Sequence, residues 1–437
     1  MLRVEEAKKP QESFYTQKFS PQKVVIPLSQ HTGALPIPIV KKKDRVKVGE
    51  VLAQPQALIS STIHSSIAGE VIGIKEGPHP LLKRCKSFII EAGKESPDRF
   101  EDFGSIPEEG IKELGSSEIL SLIKEAGIVG LGGAGFPTHI KLTPPKKVDT
   151  LIVNGCECEP YLTCDFRLMI EHTEAILKGI EIVARILEVK KVYIAIEENK
   201  LEAVKRFNSK LHTKKYLLPQ TEVKVLESLY PQGAEKQLIY SLTKRKVPSG
   251  KLPFDVGCVV QNVGTCFAIY EAVYFRKPLI ERIVTFAGSS LVEPKNLLVR
   301  IGTTLKELFE KEVLKFKREP KKIIFGGPMM GVALDSLDYP IIKTTSGVLF
   351  LSEEDLDLRE ESSCIKCGRC LDNCPMRLLP LEFVRLVKKE LWQKLEEFCI
   401  SDCIECGSCS FVCPAKIPIV NYIKAGKEKL RTSKSKA

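Results

Sequence analysis

Three successive stretches, DTLIVNG (149–155), EHTEAILKGIEIVARILEV (171–189) and KVYIAIE (191–197), dictate the central fold. The first and third are short apolar runs, the form of strands buried on both faces. The second is a long amphipathic helix. Strand, helix and strand in that order predict an α/β domain with parallel strands. LEAVKRFNSKL (201–211), VKVLES (223–228) and GAEKQLIYSLT (233–243) continue the alternation as helix, strand and helix.

Upstream, SSEILSLIKEAGIV starts a helix at Ser116, with Ile119, Leu120, Leu122, Ile123 and Ala126 at helical spacing. The first 115 residues read instead as short strands broken by Gly and Pro: VVIPL (24–28), VKVGEVLAQP (46–55), IHSSIAGEVIGI (63–74) and KSFIIEA (86–92). The order VKVGEVL, then HSSIAGEVI, resembles the barrel-sandwich modules that carry lipoyl or biotinyl groups. Those modules present a modified Lys in a hairpin. The matching region here, Leu58–Ser66, holds no Lys, so a scaffold without carrier chemistry is expected.

Downstream of Pro278 the runs RIVTFAG (282–288), LLVRIGTTLKELFEKE (297–312), KKIIFGGPMMG (321–331) and TSGVLFL (345–351) predict a compact β-grasp-like module. The expected organisation is therefore multidomain α/β. It has a barrel-sandwich-like β domain (1–115), a Rossmann-like α/β domain (116–278), a β-grasp-like module of SLBB type (279–352), a helical, ferredoxin-like domain with two cysteine clusters (353–423) and a basic tail (424–437).

The chain has 437 residues, 43% hydrophobic and 28% charged, which excludes a disordered or fibrous protein. No run reaches the ~18 uncharged apolar residues of a membrane span. The opening MLRVEEAKKPQES lacks the apolar core of a secretory signal, so none is expected. The formal net charge is +11, and residues 424–437 alone, with six Lys/Arg and one Glu, carry +5. That composition predicts a solvated, frayed end.

Fifteen cysteines, an odd number, argue for metal or redox chemistry rather than a disulfide scaffold. Eight form two copies of C-x2-C-x2-C-x3-C-P: Cys364, Cys367, Cys370 and Cys374, then Cys403, Cys406, Cys409 and Cys413. Three thiolates on one tight turn take three corners of a cubane. The fourth, opening a helix that points away, reaches the other cluster. The expected 4Fe–4S ligand sets are thus Cys364, Cys367, Cys370 and Cys413 for the first cluster, and Cys374, Cys403, Cys406 and Cys409 for the second. Structural zinc uses paired ligands across a long spacer and fits this spacing poorly. Between the motifs, Val384, Val387, Leu391, Leu395 and Phe398 predict one helical face, and Cys399, off the spacing, reads as a packed thiol.

The loop GLGGAGFPTHIKL (130–142) matches G-x-G-x-x-G in letters. It follows a helix and is closed by Phe136-Pro137, whereas the dinucleotide fingerprint follows a strand. It is open to two readings: a backbone cradle for a phosphate or flavin, or a structural turn. NGCECEP (154–160) stands at the end of strand 149–153, where open α/β sheets bind ligands.

GLGGAGFPTHIKL, NGCECEP, YPQGAEKQLIYSLTKRKVPSG (230–250), QNVGT (261–265), PLIER (278–282) and GGPMMG (326–331), followed by the paired cysteine motifs, resemble the RnfC component of Rnf electron transport complexes over essentially the whole chain. The flavin part is also similar to the NADH-binding flavin subunit of respiratory complex I. That resemblance implies FMN held by Gly130, Gly132 and Lys141 (phosphate and ribityl), Asn154 and Glu157 (isoalloxazine), and Gly233 and Asn262. It implies NADH facing Phe136, Glu159 and Glu235. Leu131, Cys156 and Ala234 depart from the complex I pattern, where Arg, an acid and Glu stand. The related NqrA component of the sodium-pumping quinone reductase shares the scaffold but lacks clusters, which disfavours it.

The resemblance implies an NAD-linked oxidoreductase subunit exchanging electrons between NADH, FMN and two 4Fe–4S clusters, with no single residue assigned as catalytic. Its complex couples ferredoxin oxidation to Na+ or H+ translocation. The implied partners are integral membrane subunits and an iron–sulfur, ferredoxin-reactive subunit. The implied place is the cytoplasmic side of the inner membrane, peripherally bound, and no nucleic-acid partner is expected. Two alternatives stay open: a soluble NADH-linked iron–sulfur flavoprotein, and a ferredoxin-like adaptor without flavin.

Overall fold

A computed structural model describes residues 1–4, 7, 8, 16–93, 102–213 and 215–434. Its centre is a four-stranded parallel sheet in the order Gln220–Leu226, Lys191–Glu197, Thr150–Gly155, Cys258–Asn262. Alternate residues serve opposite faces, as a two-residue side-chain period requires. Leu151, Val153, Ile194 and Ile196 join one apolar cluster with helices Thr173–Leu187 and Val263–Phe275. Ile152, Tyr193, Ala195 and Val260 join the other with Leu238 and Ile239 of helix Glu235–Thr243. The expected α/β alternation is present. The helix expected over 171–189 starts at Thr173, because His172 (φ −129°) is non-helical and separates it from a helix over Cys164–Glu171 that the sequence reading missed.

The N-terminal β module is built on antiparallel strands Lys23–Pro27, Lys83–Ala92 and Gly69–His79, with Val24, Ile26, Leu52, Ile63, Phe88 and Ile90 inside. The ends of the expected 1–115 unit pack elsewhere. Leu2 bridges Tyr230, strand Gln17–Phe19 pairs with Lys295–Arg300, and Ile111 lies in the core of the α/β domain. The third module is a six-stranded mixed sheet crossed by helix Leu305–Glu310. Buried Lys343 ties the three together by donating to the carbonyls of Thr62 (2.8 Å) and Gly127 (2.7 Å).

The cysteine domain is a small helical bundle in which Pro380–Lys388 packs on Ile419–Lys434. The single helix expected between the motifs is two, Pro380–Lys388 and Lys394–Glu397. Glu390 (φ +54°) turns the chain between them, and Leu391 is left exposed. Cys399 is exposed rather than packed: it sits at φ +56° in a turn whose buried places go to Leu395 and Ile400. The basic tail also differs from expectation. It continues the last helix to Lys434, because Ile423 and Leu430 pack inward and Gly426 lies against Leu395.

Candidate functional site

The glycine-rich loop follows helix Ser116–Glu125 and closes on itself, Gly130 N–H donating to Phe136 O at 2.9 Å. Its outer face is exposed at Gly132, Gly133 and Ala134, the first two without a side chain. A Cβ at Gly132 would stand 2.9 Å from the Asn262 side chain, so a side chain there would fill the space between loop and strand end. The N-terminal module braces the loop from behind, Thr32 donating to Ala134 O at 2.5 Å.

Asn154, next to last in strand Thr150–Gly155, pairs with Asn262, the last residue of the neighbouring strand, at the carboxyl ends where the sheet order reverses. Asn154 donates to Gly233 O at 2.8 Å, which draws segment 230–235 over the strand ends. Asn262 caps helix Val263–Phe275 and donates to Asp165 at 2.6 Å. Lys141 and Glu235 meet at 2.8 Å, both half-buried. Gly132 thus meets Asn262, Asn154 meets Gly233 and Lys141 meets Glu235 around the loop mouth, with Gly130 and half-buried Phe136 at the loop's closing turn.

The two glutamates of NGCECEP are occupied within the protein. Glu157 accepts the N–H groups of Asp165 (2.8 Å) and Phe166 (3.2 Å), since a helix N-terminus attracts a carboxylate. Glu159 accepts the N–H groups of Met329 (3.1 Å) and Met330 (2.8 Å) and lies 3.5 Å from the Tyr230 hydroxyl. Both carboxylates are thus hydrogen-bonded within the protein, and both are half-buried. Burial raises the Glu159 carboxyl to about 7. Burial, then the charge of Glu157, raises Asp165 to about 7 as well. Burial also pushes the Cys158 thiol up to about 12 and raises that of Cys156, so both are protonated thiols at neutral pH.

Three residues of this region escaped the sequence reading. Lys8, buried, donates to the carbonyls of Glu157, Glu159 and Leu162 at 2.7, 3.2 and 2.8 Å. Lys200, buried, donates to Cys156 O at 2.6 Å and pairs with Glu197. Asp165 was passed over although it sits within the same cysteine-rich stretch, because its partner Asn262 is 97 residues away.

The two cysteine turns repeat one backbone. Lys366 and Glu405 both have φ +56°, Gly368 and Gly407 have +77° and +81°, and Arg377 and Lys416 have +54° and +53°. In each turn a backbone N–H points at a sulfur, Lys366 to Cys364 (3.3 Å) and Glu405 to Cys403 (3.4 Å). Cys374, Cys403, Cys406 and Cys409 line one small apolar cavity, together with Phe383, Val420 and Ile423. On the other side, Cys413 and Cys364 are the thiols that bear on Cys370. Among the described residues no three His, Cys, Asp or Glu side chains close on a single metal ion. Cys364 and Cys367 are exposed, whereas Cys406 and Cys409 are buried.

The comparisons with known proteins agree with this layout. Three family models match: an RnfC barrel sandwich hybrid domain over 3–95, a Nuo51 FMN-binding domain over 123–271 and a 4Fe–4S dicluster domain over 363–417. The C subunit of the proton-translocating ferredoxin:NAD(+) oxidoreductase complex of Clostridium ljungdahlii is 48% identical over 379 residues, covering 86% of this chain and 81% of that one. The chain belongs to the RnfC family. The C subunit of the Na(+)-translocating complex of Acetobacterium woodii is 40% identical, covering 86% of this RnfC chain and 84% of its own. Among solved structures, the NAD+-reducing [NiFe]-hydrogenase in its air-oxidized state aligns with a TM-score of 0.51 at 18% identity, over 70% of this chain and 63% of that one. That likeness is one of fold. No helix among the described residues is long and apolar enough to cross a membrane.

Proposed function

We propose that this protein is the NAD-reactive electron-transfer subunit of an Rnf-type ferredoxin:NAD+ oxidoreductase complex, moving electrons between nicotinamide, FMN and two 4Fe–4S clusters. The observation that carries the reading is the meeting of two sites. Segment 230–237 borders the loop mouth through Gly233 and touches the second cysteine cavity through Tyr230, which donates to Cys406 O at 2.6 Å.

The chain's own residues fit the groups its family implies. Gly130 and Gly132 leave backbone open for a phosphate, with Lys141 near enough to offset its charge. Asn154, Gly233 and Asn262 would border the ring, and Phe136 and Glu235 would meet the nicotinamide nucleotide. Glu157 and Glu159 serve the site by holding loop 154–162 rather than by touching ligand. FMN, when bound, supplies the exchange between two-electron nicotinamide and one-electron clusters. The cysteine cavity at Cys374, Cys403, Cys406 and Cys409, nearest the mouth, takes the inner cluster. The exposed turn with Cys364, Cys367 and Cys370, completed by Cys413, takes the outer one and faces the redox partner.

The boundaries 116–278, 279–352 and 353–423, and the β-grasp-like label for the third module, belong to this reading. So do a peripheral place on the cytoplasmic face of the membrane, and partners comprising membrane subunits and a ferredoxin-reactive iron–sulfur subunit. Ion translocation is placed in those partners. The test is a cofactor inventory of anaerobically purified protein: iron, acid-labile sulfide and flavin per chain. Iron and sulfide for two cubanes with one FMN support the reading. Iron without flavin under any reconstitution supports the adaptor alternative.

A further inference from the structure

We propose that Tyr230 is a positioning residue for electron transfer, holding the second cysteine turn against the flavin mouth. The proposal rests on the reading above and adds a residue to which no redox role has been assigned.

Tyr230 is buried, and its hydroxyl donates to the carbonyl of Cys406 at 2.6 Å. That bond fixes the peptide between Cys406 and Gly407. Gly407 has φ +81°, and a Cβ there would stand 2.5 Å from Met329 O, so the turn lies directly on loop 326–331. The same loop is anchored through Met329 and Met330 to Glu159 of the flavin-side stretch. Seven residues after Tyr230, Gln237 donates to Pro375 O at 2.9 Å, next to Cys374. Lys236 pairs at 3.4 Å with Asp402, next to Cys403. One short segment thus reaches the second cavity at three of its four cysteines. Within that segment Gly233 accepts from Asn154 at the mouth. The backbone of Tyr230 is itself pinned, exchanging two hydrogen bonds with Leu2 at 2.7 and 2.8 Å.

Burial of the thiols and hydrogen bonding around a cluster set its potential. A phenol that closes the turn on its buried side keeps water from the cluster and fixes its approach to the flavin. Its loss leaves a buried carbonyl without a donor.

The experiment uses the full chain loaded with FMN and both clusters. Tyr230→Phe keeps the ring and removes the donor. Expected are unchanged FMN content, unchanged flavin bleaching by NADH and an unchanged signal of the first cluster. The second cluster should show an altered electron paramagnetic resonance signal and midpoint potential, and its reduction by NADH should slow about tenfold, as loss of one buried bond implies. A wild-type signal, potential and rate for the second cluster would overturn the proposal. Should Tyr230→Phe not fold, Gln237→Ala applies the same readouts from the other side of the cavity, and a wild-type second cluster there overturns it equally. Potentials are read after dithionite reduction, so they stand apart from NADH. A wild-type protein whose clusters take electrons from dithionite but never from NADH sinks the electron-transfer reading itself, and the role of Tyr230 with it.

Discussion

Asn262 donates from Nδ2 to Asp165 at 2.6 Å, while its Oδ1 accepts the backbone N–H groups of Gly264 (2.8 Å) and Thr265 (3.3 Å). The two ends of one amide thus tie a helix start to the half-buried carboxylate of Asp165. Asn262→Ala removes the cap, at about 1 kcal/mol, and strips this acceptor of its donor, at about 1–3 kcal/mol. Thermal unfolding should show that loss, and titration of the flavin-free protein with FMN should show affinity lowered at least about tenfold.

Asp165 makes stability pH-dependent. Its carboxyl, ordinarily near 3.8, is raised to about 7 by burial and then by Glu157. Between those values the folded state holds a proton that the unfolded chain has released. Stability from this group therefore falls as pH rises from about 4 to about 7 and is flat above. Lys200 and Arg282 also face it and temper the rise. Asp165→Asn keeps an acceptor for Asn262 and has no proton to lose. Melting curves of the variant should lie above wild type at pH 7 to 8 and approach it as pH falls toward 4.

Much of this was readable from local pattern. The strand–helix–strand alternation, the misplaced G-x-G-x-x-G and the cysteine spacing are each short-range features, and each led to the right module. What stayed hidden depends on distance along the chain. Lys8 reaches carbonyls 149 and 151 residues away, and Tyr230 reaches Cys406 across 176. No periodicity encodes such pairs. Nothing in NGCECEP shows that the Glu157 and Glu159 oxygens accept the backbone N–H groups of Asp165, Phe166, Met329 and Met330. The tail reads as solvated because its charges outnumber Leu430 and Gly426, whose packing decides its fate.

The cavity shared by Cys374 with Cys403, Cys406 and Cys409 predicts crossed ligation. Cys374→Ser should damage the cluster of the second triplet and spare that of its sequence neighbours Cys364, Cys367 and Cys370. Mössbauer and electron paramagnetic resonance spectra distinguish the two; loss confined to the first-triplet cluster would show the ligands to be uncrossed.

Lys427, in the basic C-terminal stretch, donates to Cys403 O at 2.6 Å and pairs with Glu405 at 2.7 Å. Ending the chain after Ile423 removes this lysine along with the packing of Gly426 and Leu430. Iron content should drop toward one cluster per chain. Full iron in the truncated protein, with changed membrane affinity alone, would show that the tail does no structural service.

In the function proposed above, one chain links nicotinamide to two clusters through a flavin. Anaerobic stepwise addition of NADH to the purified, FMN-loaded protein tests it most directly, with flavin and cluster absorbance followed together and spectra frozen at each step. The account predicts that the flavin bleaches and that signals of reduced 4Fe–4S clusters appear in the same titration, the buried second-triplet cluster leading. Flavin reduction with both clusters left oxidised, although dithionite reduces them, would contradict it.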